Sequence, residues 1–138
     1  EPATSLSNYA DSQHVLTVGG VRWDTLQIEA YSSRGPTLDS RVKPDVVGPT
    51  CVPVSVVIPP LTDTTFCGTS AAAPFVSGAV ALLRQARPEL TPAQVRDYLR
   101  SQARDLGPVG PESVYGWGLA QLGQPPGGYR LYLPAVLR

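Results

Sequence analysis

The sequence predicts an α/β chain, and three observations carry that prediction. Residues 14–21 form a β-branched, mostly apolar run that ends in glycines, the pattern of a buried strand. Residues 69–86 are rich in alanine and leucine. Ala71, Ala72, Phe75, Val76, Ala79, Val80, Leu82 and Leu83 there cover most of a helix circumference, and a helix apolar all round is a buried one. Thr91, Pro92 and Gln94 together read as the start of a second helix, with Thr91 as cap, Pro92 in the first helical position and Gln94 three residues after the cap.

The remaining elements follow in chain order. Residues 1–13 are polar, and a second short strand is expected near residues 27–31. Ser32-Ser33-Arg34-Gly35-Pro36 is a turn cluster. Residues 45–47 form a short strand ended by Gly48 and Pro49. Residues 54–58 form a better one, stopped by Pro59 and Pro60, and residues 64–67 pair back on it as a hairpin. The alanine-rich helix leaves toward water at Arg84, Arg87 and Pro88. In the second helix Val95, Tyr98, Leu99 and Ala103 recur at helical spacing. Arg96, Asp97, Arg100 and Arg104 take the solvent face, and the helix ends near Gly107. Residues 115–119 make a tight segment permitted by Gly116 and Gly118. Residues 124–128 are a Pro/Gly linker, and residues 129–138 a short apolar tail.

Composition narrows the function classes. Eleven Lys and Arg balance eleven Asp and Glu, so the chain has no net charge. This argues against nucleic acid or an anionic membrane as the main partner, since both need a concentrated basic surface. Charged residues are 16% of the chain, against about 25% in a typical domain. Fifteen prolines and thirteen glycines make the chain loop-rich without reaching the disordered range. No run approaches the roughly 18 apolar residues of a membrane span, and no signal peptide opens the chain. The sequence has no Met, which predicts that it is not a complete translation product, and one His, which limits imidazole chemistry to a single candidate.

The segment that carries chemistry is residues 66–78. Ser70 stands at the N-terminus of the apolar helix, where backbone N–H groups lack partners and the dipole is positive. An oxyanion forming beside Ser70 would be stabilised by the Ser70 N–H. Gly68 permits close approach of another chain, Ala71, Ala72 and Ala73 let the helix sink against strands, and Pro74 is expected early enough that its missing N–H costs little. On these residues alone a cap on a core helix is the simpler reading, since capping serines far outnumber nucleophilic ones. The acyl-transfer pattern G-x-S-x-G is not met, because Ala72 fills its last glycine position.

The run Gly68-Thr69-Ser70-Ala71-Ala72-Ala73-Pro74-Phe75-Val76-Ser77-Gly78 resembles the nucleophile signature of subtilisin-like serine proteases, G-T-S-x-A-x-P-x-V-x-G. Other segments resemble the family in the same order. They are Val15–Val21, the turn at Tyr31–Pro36, Lys43-Pro44-Asp45-Val46-Val47-Gly48-Pro49, Leu90–Val95, and Gly116-Trp117-Gly118. The resemblance covers about residues 10–123.

It implies the C-terminal part of a three-layer fold with a mostly parallel sheet, a buried central helix after the nucleophile and a surface amphipathic helix. Residues 1–123 would be an incomplete peptidase domain and residues 124–138 an addition to it. Ser70 would be the nucleophile, and its N–H half of the oxyanion hole. The family's Asp, His and oxyanion Asn are expected upstream, outside these residues; His14 and Asn8 stand too close to the first strand to serve. Phe75 replaces the family's usual His after the signature proline, Pro74, and Ala71 a frequent Met; neither position belongs to the triad.

Several further expectations follow. The substrate is a protein or peptide. The partner is the upstream half of the same domain, or a second copy on an exposed sheet edge. The location is secreted or extracellular, and the isolated chain is catalytically inert. Cys51 and Cys67 flank the predicted hairpin, and export to an oxidising compartment favours a disulfide between them over two free thiols. No metal site is expected, because two cysteines and one distant histidine are not a ligand set. Calcium is common in the family, but no residue here can be assigned to it. A non-catalytic module of the same fold, with a binding or scaffolding role, is the competing interpretation. Retention of Gly68-Thr69-Ser70 weighs against it, and an esterase is a weaker third.

Overall fold

Side chains alternating along Val46–Thr50 set the layers of this protein. Val46, Gly48 and Thr50 face one side and Val47 the other. The computed structural model describes residues 5–54 and 65–123. Its elements are β1 (Val18–Arg22), β2 (Val46–Thr50), β3 (Val52–Pro53), β4 (Thr65–Phe66), α1 (Thr69–Ala86) and α2 (Pro92–Gln102).

β1 and β2 pair in parallel, Val18 opposite Val46 through Arg22 opposite Thr50. Leu119 adds a parallel bridge to Val47 on the far edge of β2. β2 therefore runs three residues further than its Gly48-Pro49 suggests. Val47 N–H donates to Gly118 O at 2.9 Å, and Ala120 N–H donates to Val47 O at 2.9 Å, so this phase of β2 faces away from β1. Pro49 shares that phase, and its missing N–H takes nothing from the ladder to β1. Gly48 has a separate role, since a Cβ there would lie 2.8 Å from the Ala72 carbonyl oxygen. Its absence lets α1 rest directly on β2.

β1 starts at Val18, four residues later than expected. The preceding backbone is committed elsewhere: Thr17 N–H donates to the Asp45 carboxylate at 2.6 Å, and Asp45 N–H donates to Thr17 O at 2.8 Å. Residues 27–31 form no strand. Only Ile28 bridges Val21, after a tight return at Leu26. That return, with the Ser32 hydroxyl accepting from Gly20 N–H at 3.0 Å, closes much of the sheet edge that the sequence left open.

Residues 65–66 do pair back in an antiparallel ladder, but with Val52 and Pro53, before the predicted 54–58 arm: Val52 stands opposite Phe66 and Pro53 opposite Thr65. Residues 55–58 of the predicted strand lie outside the described residues, as do the linker and tail at 124–138.

α1 occupies the predicted residues. It is buried on one side only, through Ala71, Ala72, Val76 and Leu83, while Phe75 is 46% exposed. No described element covers that outer side. α2 opens with the predicted capping box, Thr91 Oγ1 accepting from Gln94 N–H and Gln94 Oε1 accepting from Thr91 N–H. It ends at Gln102 rather than near Gly107, because Arg104 leaves the helix to exchange two backbone hydrogen bonds with Leu119. Val46, Val76, Leu83, Val95, Leu99 and Leu122 form the core between the sheet and the two helices.

Arg100 departs from its expected solvent face. Its guanidinium lies 4.2 Å over the Trp117 ring and donates to the fully buried carboxylate of Asp45. Lys43 closes the group, donating to Asp45 Oδ2 at 2.7 Å and to Val15 O at 2.8 Å.

Candidate active site

The C-terminal end of β2 delivers Thr50, and the Cys51–Cys67 disulfide joins this end to the residue before Gly68. Gly68 then caps α1 with φ +116° and ψ 158°, a conformation that needs glycine. An ideal Cβ on Gly68 would lie 2.9 Å from Ser70 Oγ. The glycine therefore serves twice, for its backbone angle and for the space that the serine hydroxyl occupies.

Ser70 is the second residue of α1 and is exposed. Ala71 N–H and Ala72 N–H both turn back to the Gly68 carbonyl, at 2.9 and 3.3 Å. Among the described residues no acceptor engages the Ser70 N–H, and none bonds to the Ser70 hydroxyl. Both groups therefore stand free at the positive end of an 18-residue helix. They border an open groove of about 480 Å³ whose walls include Ser7, Tyr9, Ala10, Val18 and Ala73.

Pro74 differs from expectation. It is the sixth residue of α1, past the four N–H groups that have no intrahelical acceptor, so the Ser70 carbonyl lacks its usual i+4 donor.

The other sequence candidates fall elsewhere. His14 lines a second groove with Val80, Arg84 and Arg96. It is not among the residues lining the Ser70 groove. Asn8 is exposed and is not among the residues lining the Ser70 groove. No group of His, Cys, Asp or Glu among the described residues has the spacing of a metal site.

Thr50 and Tyr31 were not singled out from sequence. Thr50 Oγ1 donates to Gly68 O at 2.9 Å and accepts from Gly68 N–H at 2.8 Å, and Tyr31 Oη also accepts from that N–H at 3.1 Å. One signal was available: if Cys51 pairs with Cys67, then Thr50 and Gly68 are neighbours.

The sequence profile described as the Subtilase family matches residues 1–118. The chain belongs to the subtilase family. Serine protease AprX of Bacillus subtilis is 31% identical to this subtilase over 126 residues, spanning 78% of this chain and 28% of AprX. Minor extracellular protease Vpr of Bacillus subtilis is 33% identical over 106 residues, spanning 70% of this chain and 13% of Vpr. Among solved structures, the CspB protease of Clostridium perfringens superposes with a TM-score of 0.75 at 28% identity, covering 87% of this subtilase and 28% of that chain. Fervidolysin from Fervidobacterium pennivorans, a keratinolytic enzyme related to subtilisin, gives 0.62 at 30% identity, covering 82% and 19%. This subtilase chain spans less than a third of the length of each of these relatives.

Proposed function

We propose that this chain is the nucleophile-bearing, C-terminal part of the catalytic domain of a secreted subtilisin-like serine endopeptidase, with Ser70 as nucleophile. The observation that carries this reading is the free Ser70 hydroxyl beside the free Ser70 N–H, at a helix N-terminus opening on a groove. Relatives named as proteases, one of them extracellular, and a disulfide suited to an oxidising compartment support it.

In this mechanism Ser70 Oγ attacks the carbonyl carbon of a peptide bond while a histidine takes its proton and an aspartate orients that histidine. The tetrahedral oxyanion accepts from the Ser70 N–H and from an asparagine side chain. The intermediate collapses as the C–N bond breaks and the histidine returns the proton to the leaving amine; water then repeats the cycle on the acyl-enzyme. Histidine, aspartate and asparagine come from the rest of the domain. That same part covers the outer side of α1 around Phe75 and the groove at Val18, in preference to a second copy of this chain on the partly closed sheet edge.

A fluorophosphonate probe tests this. The protein that contains this chain together with the preceding part of its domain should be labelled at Ser70, and Ser70→Ala should abolish both labelling and peptide hydrolysis. The 138-residue chain alone should stay unlabelled. Hydrolysis that survives Ser70→Ala would remove Ser70 as the nucleophile, and a whole protein inert to probe and peptides would favour a binding module.

A further inference from the structure

Resting on Ser70 as the nucleophile, we infer that Thr50 is a positioning residue that sets the Ser70 hydroxyl and N–H through Gly68. Thr50 is fully buried at the end of β2. Its single hydroxyl meets both backbone groups of Gly68, donating to the carbonyl at 2.9 Å and accepting from the N–H at 2.8 Å. The Tyr31 hydroxyl stands 3.1 Å from the same N–H and 3.2 Å from Thr50 Oγ1. One set of protons satisfies the whole group: Thr50 donates to Gly68 O, Tyr31 donates to Thr50 Oγ1, and the Gly68 N–H is shared between the two hydroxyls.

The need for this clasp comes from the cap itself. Most helices are closed at the N-terminus by the cap residue's own side chain. Gly68 has none, and α1 has no side-chain cap bond. A serine or asparagine cap is disfavoured by the φ of +116° and by Ser70 Oγ, which would lie only 2.9 Å from its Cβ. A hydroxyl from the neighbouring strand does the work instead.

Gly68 O also receives the N–H groups of Ala71 and Ala72, the first turn in which Ser70 sits. A rotation of the Gly68 peptide therefore moves the nucleophile and the oxyanion donor together. Displacements of about 1 Å at a reacting group cost on the order of 10²-fold in rate. Strand formation does not need this hydroxyl, since valine fills the same volume and suits a β-strand as well.

The test uses the protein that contains this chain with the rest of its domain, and compares Thr50→Val, Thr50→Ser, Tyr31→Phe and Ser70→Ala. Active-site titration normalises each rate to correctly folded molecules. Thr50→Val should lower kcat by about 10- to 100-fold with KM little changed. Thr50→Ser, which keeps the hydroxyl, should restore most of it. A purely structural role would lower the titratable fraction and leave kcat per site alone, and that result overturns the inference. If Thr50→Val does not fold, Tyr31→Phe decides: the half-exposed ring stays, one arm of the clasp is lost, and an unchanged kcat overturns the inference. Ser70→Ala separates the two claims. If it is inactive while Thr50→Val matches wild type, only the role of Thr50 falls; if it is active, the nucleophile assignment falls and the role of Thr50 with it.

Discussion

Thr50 and Gly68 are hydrogen-bonded to each other twice, and Cys51 and Cys67, the residues beside them, are covalently joined. One strand end thus grips the start of α1 by two separable means. The hydroxyl acts on the orientation of one peptide. The disulfide acts on the chain as a whole, by restricting the unfolded ensemble.

This separation predicts different outcomes for the two. The disulfide links residues 16 apart, and loops of this length are worth about 3 kcal/mol in the chain-entropy account. The double replacement Cys51→Ser with Cys67→Ser should lower the urea midpoint correspondingly. Folded molecules should keep much of their probe labelling at Ser70, because the Thr50 clasp is intact. Equal midpoints for the two proteins would show that the bond contributes nothing to stability.

Gly68→Ala should damage both properties. The backbone must hold φ near +116° with a Cβ, a strain of about 1–3 kcal/mol, and that Cβ would meet Ser70 Oγ. Relief requires the hydroxyl to rotate or the first turn to shift. Labelling of Ser70 per folded molecule should therefore fall by an order of magnitude or more. Wild-type labelling would mean that the turn relaxes without moving the serine.

Much of this was legible in the sequence because local signals agreed with the tertiary result. The Thr91 capping box and the α1 span are set by nearby residues, and Ser70 stood out through its helix and its motif. What was not legible came from long-range partners. Arg100 has the pattern of a solvent-facing residue, and only the fold brings it to Asp45, 55 positions away in sequence. Thr17 loses its place in a strand to the Asp45 side chain, and Arg104 loses its place in a helix to Leu119. Thr50 reaches Gly68 across 18 positions, from beyond the Gly48-Pro49 pair that reads as a strand stop. Periodicity describes which face is apolar; it carries no information about which distant polar group will claim a residue.

The loop before β2 makes a pH prediction. The Arg41 guanidinium donates to the Asp39 carboxylate, and the Thr37 hydroxyl adds a second hydrogen bond; together they pull its pKa down to about 2 from 3.8. A lowered folded value means that the carboxylate stabilises the fold in full above 3.8, and that this stabilisation is lost as pH falls through about 2. Arg41→Gln should return the Asp39 midpoint toward the ordinary range, read from carboxyl NMR shifts. The pair is exposed, so its effect on unfolding should be small and should shrink further in salt. An unmoved midpoint in Arg41→Gln would leave Thr37 as the dominant cause.

The buried Lys43–Asp45–Arg100 group should behave in the opposite way, with large and strongly coupled effects. Asp45 is inaccessible and Lys43 nearly so. The Asp45 carboxylate accepts from Lys43, Arg100 and the Thr17 N–H, and Lys43 spends its other donors on Val15 O and Thr17 Oγ1. Asp45→Asn leaves two cations without their counter-charge, and breaking a buried pair in this way costs about 3–5 kcal/mol. Lys43→Met alone should cost less, because Arg100 and the Thr17 N–H stay on the carboxylate. The double variant should cost much less than the sum, since each change removes the penalty created by the other. A denaturation cycle over the four proteins measures this coupling. Additive losses would mean that Lys43 and Asp45 contribute through packing alone, and that Arg100, stacked on Trp117, satisfies the carboxylate without help.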